Sequence, residues 1–311
     1  MIKNVFIELY KKYTSKLITK EEYIDLAFKY HNTLYDYADY LSQTDIESIH
    51  ISRNEVKMTT KKEKLILTYP RNDKRIAPFE VLNFKNFEGD FFSFYLQIIK
   101  NAKVIFDIGA NIGWHDLCAA KLNKKVTVHS FEPIKESFKF LLKNIKVNNL
   151  KNIIPNNFGL SNKTTTAIFY VNPYLSASAS ERMITDQNVK KVKVILKKLD
   201  DYCLNKKIKR IDLIKCDVEG AELFVLQGSV NTLKKLKPIL LIEILRKWSL
   251  KYNYHPNDIL KLMDSLDYLC FTIYSGKMKR IFKVTEMTKA TNFIFFHKIK
   301  HHKYINKYVT K

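Results

Sequence analysis

Glycine, proline, cysteine and arginine are all scarce in this sequence of 311 residues. With 7 Gly and 7 Pro, long flexible loops must be few, and any glycine cluster is informative. The 4 Cys show no C-x-x-C spacing, which excludes a dense disulfide framework and predicts reduced thiols in a cytoplasmic protein. No apolar run approaches the roughly 18 residues of a membrane span, and Glu8 interrupts the first apolar stretch too early for a signal peptide. We therefore expect neither a membrane-spanning segment nor a signal peptide.

The charge is strongly positive, at +23 from 54 basic and 31 acidic residues. Clustered positive charge attracts nucleic acids and membranes. However, Arg occurs at only 7 positions, so 47 of the basic residues are Lys, whereas bidentate contacts to phosphate or guanine favour Arg. We therefore expect a solvated basic surface, suited to acidic glycans or nucleotide-linked substrates, and regard nucleic acid as the less favoured partner.

The hydrophobic pattern divides the chain into an N-terminal extension, a main domain and a short tail. Helical spacing of apolar residues from Asn4 to about Leu41, followed by alternation over 46–88, predicts two helices and a small hairpin. We place the extension at residues 1–95, the main domain at 96–300 and a loosely held basic tail at 301–311.

Short apolar strands and amphipathic helices alternate after Asn101. VIFDIG (104–109), TVHSFEP (127–133) and IDLIKCDV (211–218) are each followed by a helical pattern. Such alternation is typical of an α/β fold, in which a mostly parallel sheet is covered by helices on both faces. Two further strand-like runs, 165–171 and 191–199, flank a loop of small residues.

Two of the few glycines stand at the end of the first of these strands, in Asp107-Ile-Gly109-Ala110-Asn111-Ile-Gly113. Glycines at the carboxyl edge of a parallel sheet allow a tight turn and the close approach of a ligand. The G-x-x-x-G spacing differs from a dinucleotide fingerprint and from a phosphate loop. A turn that only packs helix on strand is the structural alternative.

A single carboxylate, Glu132 in SFEP, ends the next strand about 25 residues after Asp107. A carboxylate at this position can accept hydrogen bonds from both hydroxyls of an adenosine ribose. The alternative is that Glu132 only caps the helix that follows Pro133.

Three carboxylates, Asp217, Glu219 and Glu222, lie within six residues in IDLIKCDVEGAELFVLQGS (211–229). Buried carboxylates without partners are costly, so we expect these to face a cleft, a cation or a ligand. The alternative is that Glu219 and Glu222 only favour the dipole of the following helix.

The combination of FDIGANIG, SFEP, NFGLSN, LDDYC, IDLIKCDVEGAELFVLQGS and PILLIEI resembles the FkbM family of S-adenosylmethionine-dependent methyltransferases. The resemblance covers roughly residues 101–245 and, more loosely, extends to about 298. It implies a class I methyltransferase fold, with a Rossmann-like seven-stranded sheet between two helical layers, carrying here an N-terminal helical and hairpin extension. The family pattern is not met at Trp114-His115, where a polar residue is usual.

The resemblance also implies roles for individual residues. The loop from Asp107 to Gly113 would hold the methionine part of the cofactor, Glu132 the ribose, and Asn157 with Phe158 the adenine. The full set predicted to contact the cofactor is Asp107, Gly109, Ala110, Asn111, Gly113, Glu132, Asn157, Phe158 and Asp217. The reaction implied is O-methylation, commonly of sugars or natural-product hydroxyls.

Methyl transfer to a sugar hydroxyl requires alignment of three atoms and help in removing the proton. We predict that Asp217 or Glu219 is the base, with His115 as the alternative, although His115 could instead only pack beside Trp114. Glu222 and Glu243 are predicted to contact the substrate. Glu243 is the only charge within ILLIEIL, where an unpaired carboxylate would be expensive.

Two weaker hypotheses concern a metal and a mobile loop. Asp217 and Glu243 would end adjacent strands and, with His115, could hold Mg²⁺ or Mn²⁺. The loop around Ser178 and Arg182 could close over the acceptor, with Arg182 meeting a carboxylate or phosphate. A plain linker is the alternative for this loop.

The function expected from the sequence is O-methylation of a sugar hydroxyl, in a nucleotide sugar or a surface polysaccharide such as capsule or lipopolysaccharide. An RNA methyltransferase that uses the basic surface is a second possibility. A non-catalytic binding protein on a methyltransferase fold is the third. The N-terminal extension is predicted to mediate homo-oligomerisation or acceptor binding.

Overall fold

A computed structural model describes residues 4–85, 88–182, 189–274 and 276–308; the side chains of residues 176–178 and 308 are outside this description. The chain begins with a helical hairpin, α1 (Val5–Thr14) and α2 (Lys20–Leu41). Asn4 accepts hydrogen bonds from the first turn of α1, and Thr19 with Glu22 forms a capping box on α2. Both predicted helices are therefore present. None of the described helices is both long and apolar enough to cross a membrane.

A small antiparallel sheet and two helices follow the hairpin. The sheet consists of β1 (Ile46–Ser52), β2 (Glu55–Thr60) and β3 (Ile66–Thr68), and the helices are α3 (Ala77–Phe84) and α4 (Gly89–Ile99). Their buried side chains form one hydrophobic cluster with residues of the main sheet. The predicted boundary at residues 95 and 96 therefore does not separate two cores.

The remaining elements form the large sheet, an inserted sheet and their helices. The strands are β4 (Val104–Ile108), β5 (Thr127–Phe131), β6 (Ile153–Asn156), β7 (Gly159–Leu160), β8 (Thr165–Asn172), β9 (Leu175–Ser180), β10 (Lys190–Lys197), β11 (Leu213–Cys216), β12 (Ile239–Glu243), β13 (Tyr268–Tyr274), β14 (Lys277–Ile281) and β15 (Asn292–His297). The helices are α5 (Trp114–Leu122), α6 (Lys135–Val147), α7 (Leu199–Asn205), α8 (Glu222–Gln227), α9 (Val230–Leu236), α10 (Arg246–Lys251), α11 (Pro256–Asp264) and α12 (His302–Tyr308).

The large sheet has the order β14-β13-β15-β12-β11-β4-β5-β6. Strands β6, β5, β4, β11 and β12 are parallel, whereas β15 is antiparallel to both of its neighbours. Apart from β14, this is the arrangement expected of a class I methyltransferase, so the predicted α/β fold is confirmed. Within the described residues this sheet has eight strands rather than seven, because β14 follows β13 and pairs antiparallel with it along its free edge.

The small-residue stretch that we predicted to be a loop is largely a strand. β9 pairs with β8, and together with β7 and β10 they form a second sheet of four strands. The tail differs too: α12 lies against β15, with the rings of Tyr304 and Phe296 stacked at 5.8 Å between centroids. Burial of Tyr304 and Ile305 against the core explains why this basic segment is ordered as a helix.

Candidate functional site

The described part of the chain contains a cavity of about 790 Å³ at the carboxyl ends of β4, β5, β11 and β12. This edge is where open α/β sheets bind ligands. Residues of the N-terminal segment before β4 and of α10 complete the cavity on the outer side.

The glycine loop after β4 forms one wall. The amides of Gly109 and Ala110 both donate to the carbonyl of Phe131, at 3.0 and 3.1 Å, which ties the loop to the end of β5. Gly109 has φ +86°, and a Cβ there would lie 1.8 Å from the carbonyl oxygen of Asp217. Only glycine allows the loop to pass so close to the segment after β11. Gly109, Ala110, Asn111 and Glu132 line the cavity, and we call them the glycine-loop wall.

Glu132 is fixed at the end of β5 by backbone donors. Its Oε2 accepts from the amide of Asn111 at 2.9 Å, and its Oε1 accepts from the amide of Ile134 at 2.7 Å. Burial raises the pKa of Glu132 to about 7, against the lowering effect of these two hydrogen bonds. The carboxylate is therefore held in one orientation at the cavity wall.

An ion-paired lysine lines the cavity, and the sequence pattern did not predict it. Lys215 is the penultimate residue of β11; its Nζ is 3.3 Å from Asp217 Oδ2 and 3.8 Å from Asp107 Oδ1. Burial lowers the pKa of Lys215, but Asp217 and Asp107 outweigh this effect and raise it. The available signal was the single charge within the apolar strand LIKC.

Two carboxylates at the ends of adjacent strands differ in charge. Burial opposes ionisation of Asp217, but Lys215 and a hydrogen bond with Glu243 bring its pKa below the usual value. Burial and the charge of Asp217 raise the pKa of Glu243 to about 10. Asp217 is therefore ionised and Glu243 protonated at neutral pH, and Glu243 donates to Asp217. Both side chains line the cavity, and their contacts with substrate or cofactor stay a prediction.

Glu219 faces the cavity from the loop after β11, with a left-handed φ of +54°. Burial, followed by the charges of Asp217 and Glu222, raises its pKa well above the usual range. This shift disfavours ionisation of Glu219, whereas Lys215 stabilises Asp217 as an ion and so weakens it as a base. That either carboxylate is the base stays a prediction.

His115 lines the cavity from the first turn of α5 and has an acidic partner that the sequence did not suggest. Its Nε2 is 3.1 Å from Oε2 of Glu88, the residue before α4. The hydroxyl of Tyr95 donates to the carbonyl of His115 at 2.9 Å, and the Phe92 and Tyr95 rings contact the imidazole edge to face. A carboxylate that orients an imidazole is the arrangement used for general bases.

Glu222, predicted to contact substrate, is instead a support for the loop. Its side chain is buried and accepts from the amides of Val218 and Gly220 and from the Tyr254 hydroxyl, at 3.0–3.2 Å. Burial raises its pKa to about 7. It is not part of the described cavity lining, since those bonds turn it inward.

Asn157 and Phe158, predicted near the adenine, also lie behind the described lining. The Asn157 amide donates to the carbonyl of Glu132 at 2.9 Å, and Phe158 packs edge to face on Phe131. Both therefore support the wall rather than form it. Gly159 and Leu160 line the cavity at this position instead.

Three other predicted residues lie away from the described lining. Asp107 is enclosed beside Lys215. Burial of Asp116 and the charge of the neighbouring Asp107 raise the pKa of Asp116 well above its usual range. Gly113 starts α5, with Leu141 packed where a Cβ would be. Arg182 lies over the Tyr252 ring, 5.9 Å from its centroid, instead of at the cavity. The side chain of Ser178 lies outside the described residues.

The metal hypothesis receives no support from the geometry of the described residues. Within them, no three His, Cys, Asp or Glu side chains are grouped so that they could hold a metal ion. Asp217 is paired with Lys215, and His115 with Glu88. These partners occupy the side chains that were predicted to be ligands.

Comparison with known protein families identifies the family of this chain. Residues 107–270, more than half of the chain, match the model of the methyltransferase FkbM domain. The chain belongs to the FkbM methyltransferase family. The match includes the glycine-loop wall and the β11 and β12 carboxylates, whereas Arg75 and Glu88 precede it.

Individual relatives are distant and share only part of their length with the chain. The hexuronic acid methyltransferase AglP of Haloferax volcanii is 28% identical over 57% of this chain and 67% of its own. Methyltransferase 1 of Beauveria bassiana is 28% identical over 40% of this chain and 57% of its own. The crystal structure of the methyltransferase FkbM from Methylobacillus flagellatus is 18% identical with a TM-score of 0.39, covering 63% of this chain and 43% of that chain.

The residues of the glycine-loop wall fit S-adenosylmethionine. Asn111 has a buried Oδ1 without a hydrogen-bond partner among the described residues, which suits a donor such as the amino group of methionine. Glu132, fixed by backbone amides, has the chemistry to accept from ribose hydroxyls. Asp217, although paired with Lys215, adds a carboxylate to the cavity lining, and a carboxylate suits a nearby sulfonium.

Proposed function

We propose that the protein is an S-adenosylmethionine-dependent O-methyltransferase whose acceptor is a sugar hydroxyl. The observation that carries this proposal is the glycine-loop wall, in which Glu132 is oriented by two amides beside the close passage of Gly109 over Asp217. The family relationship supports methyl transfer. The relative AglP, a hexuronic acid methyltransferase, supports a sugar as acceptor. Synthesis of a surface polysaccharide or of a nucleotide sugar is the proposed setting.

The cofactor supplies an electrophilic methyl group on a sulfonium. The task of this chain is to hold donor and acceptor in line and to exclude water. Asn111, Glu132 and Asp217 would bind the cofactor. The apolar side chains of Ile108, Leu160 and Phe131 line the same cavity and reduce its polarity.

We assign the base to His115, held by Glu88. A sugar hydroxyl is a weak nucleophile at neutral pH, so removal of its proton assists the displacement. The imidazole accepts this proton, and the Glu88 carboxylate at 3.1 Å stabilises the imidazolium that forms. The Tyr95 and Phe92 rings fix the imidazole plane.

Calorimetric titration with S-adenosylmethionine and S-adenosylhomocysteine tests the cofactor. We expect micromolar binding of both by the wild type and a loss of at least about tenfold in Glu132→Ala, since charge-assisted hydrogen bonds of about 1.5–3 kcal/mol are removed. Glu136→Ala, an acidic residue in the first turn of the next helix outside the cavity lining, is the matched control. Absence of binding by the wild type would refute the proposal.

The product of a uronic acid acceptor distinguishes two chemistries. A methyl ether forms at a hydroxyl and resists mild alkali, whereas a methyl ester forms at a carboxylate and is hydrolysed. A carboxylate needs no base, so an ester product would leave His115 without its proposed role. We expect the alkali-stable ether.

A further inference from the structure

Two cations line the outer edge of the cavity and are not used in the proposed reaction. Arg75 precedes α3, and Lys247 lies in the first turn of α10. Each therefore comes from a different part of the chain. We call Arg75 and Lys247 the cationic rim.

The carboxyl groups near the cationic rim neutralise it only in part. Glu80 Oε1 is 3.5 Å from Arg75 Nε, at the limit of a hydrogen bond, and 70% of the arginine side chain is exposed. Arg75 and Lys247 both act to lower the pKa of Glu219, although burial and the neighbouring carboxylates raise it well above its usual range. Both cations of the rim are exposed, so an incoming anion can reach them.

The interior of the cavity has the opposite character. Asp217 and Glu132 lie at the strand ends, where the buried Lys215 offsets part of the charge of Asp217. With Asp107 the carboxyl groups there still outnumber this one lysine, which favours a cationic sulfonium, whereas the exposed cations at the outer edge favour an anion. Two reactants of opposite charge would therefore be sorted to opposite ends of one cavity.

Trp248 adds an aromatic surface beside the cations. It lines the cavity, and the Nζ of Lys247 lies 4.4 Å from its ring centroid. The backbone of Trp248 is 3.0 Å from where a Cβ of Gly220 would be, so α10 is fixed against the loop after β11. The cation–π contact and this packing limit the freedom of Lys247.

We propose that the cationic rim binds an anionic group of the methyl acceptor, the carboxylate of a uronic acid or the diphosphate of a nucleotide sugar. Arg75 presents the planar donors that suit either group, and Lys247 adds a point charge. The inference deepens the proposed function, on which it rests for the identity of the second reactant. The rim orients the acceptor while its hydroxyl lies toward His115.

Binding to the full chain, with S-adenosylhomocysteine present, tests the rim. The probes are methyl glucuronoside, uridine diphosphate and the uncharged methyl glucoside, titrated by calorimetry or ligand-observed NMR. We expect Arg75→Ala and Lys247→Ala each to weaken one of the anionic probes by about tenfold or more. Methyl glucoside should bind more weakly than methyl glucuronoside, and equally to all variants.

Matched controls come from the same segments. Arg71 and Lys251 are exposed cations, four residues from Arg75 and Lys247 respectively, and neither lines the cavity. Lys251 also approaches the Trp248 ring, at 5.7 Å, so its removal reproduces the general loss of charge near that ring. Arg71→Ala and Lys251→Ala should leave the anionic probes bound as in the wild type.

The two anionic probes distinguish the sources of the charge. If binding of methyl glucuronoside depends on the rim, the acceptor is assigned as a uronic acid. If binding of uridine diphosphate depends on the rim, the acceptor is assigned as a nucleotide sugar. Three results would each overturn the rim proposal. They are an equal loss of affinity in the control variants, equal binding of the charged and uncharged sugars, and no binding of either anionic probe at millimolar concentration.

Failure of the rim and failure of the methyltransferase proposal give different results. If S-adenosylhomocysteine binds while Arg75→Ala and Lys247→Ala leave the affinity for the anionic probes unchanged, the rim proposal is wrong and the methyltransferase proposal stands. If S-adenosylhomocysteine does not bind but the anionic probes still need both cations, the rim stands as an anion site and the methyltransferase proposal fails.

Discussion

The glycine-loop wall is fixed by backbone contacts, whereas the opposite side of the cavity depends on side chains. Glu132 is held by amides of the same loops that form the wall, and Gly109 lies against a carbonyl. Elsewhere in the lining the contacts join side chains: His115 meets Glu88 of a separate segment, and Arg75 meets Glu80 of the helix that follows it. The glycine-loop wall therefore tolerates almost no change in shape, whereas the residues joined by side chains can change partners at small structural cost.

The largest effect is expected where the wall is tightest. Gly109→Ala places a Cβ against the carbonyl of Asp217, in addition to the strain of φ +86°. Gly276 has a similar φ of +73° and no atom within 4 Å of its Cβ position, so Gly276→Ala measures strain alone, about 1–2 kcal/mol. Thermal unfolding and cofactor titration should show Gly109→Ala to be far more damaging. Similar stability of the two variants would contradict the conclusion that backbone contacts fix this wall.

The next effect concerns Lys215, the buried lysine in the cavity lining. Lys215→Met leaves Asp107 and Asp217 without their buried cation, which should lower the free energy of unfolding by about 3–5 kcal/mol. The control Lys298→Met removes a surface lysine near Asp264 and Asp267 and should cost less than about 1 kcal/mol. Urea unfolding measures both. An equal cost would show that the buried pairing contributes no more than a surface pair.

This difference should also depend on pH. Lys215 helps to lower the pKa of Asp217 below its ordinary value of 3.8. The ion pair therefore stabilises the folded state above that pH, and its contribution is lost as the pH falls through the lowered pKa. The difference in the free energy of unfolding between the wild type and Lys215→Met should therefore become smaller in acid. A gap that stays constant between pH 7 and pH 3 would be inconsistent with this pairing.

On the side held by side chains, the effect should appear in turnover rather than in stability. We expect His115→Gln to reduce kcat by about 10²–10⁴-fold, the range for loss of a general base, with cofactor affinity nearly unchanged. Glu88→Gln keeps the shape but removes the charge, so its loss should be smaller. Methyl transfer to the acceptor identified by binding measures both. Wild-type kcat in His115→Gln would exclude this residue as the base.

The smallest effect concerns the loop support Glu222. Its pKa is raised to about 7, so the folded state binds the proton more tightly than the unfolded chain does, and stability falls as the pH rises from about 4.5 to 7. Glu222→Gln should remove up to about 3 kcal/mol of this pH dependence. Chemical unfolding at pH 5 and pH 8 compares the two proteins. If the free energy of unfolding changed equally with pH in the two proteins, Glu222 would already be ionised at neutral pH in the wild type.

Most of the fold was predictable because its signals are local. Apolar runs, a capping box at Thr19 and the glycines after β4 each act within a few residues, and the strand order follows from the family pattern. The eighth strand was missed because β14 reads KMKRI, a charged edge strand without an apolar run. The helix α12 was missed for a similar reason, since its stability comes from packing on Phe296.

The site was less predictable, because its partners are distant in sequence. Glu132 and Asp217 could be placed at the cavity from strand ends alone. The contact of Glu88 with His115 depends on how α4 packs beside α5, and no spacing rule encodes it. Glu222 shows the opposite error: a carboxylate in a family motif was taken for a ligand contact, although backbone amides bind it.

The cavity extends beyond the part of the chain that defines the family. Residues 107–270 contain the glycine-loop wall and Lys247, but Arg75 and Glu88 come from the segment before it. Proteins that share the family segment can therefore keep the glycine-loop wall while differing in the residues that the preceding segment adds to the cavity. Inheritance of the family segment and inheritance of the whole cavity are separate questions, and the second depends also on the sequence that precedes β4.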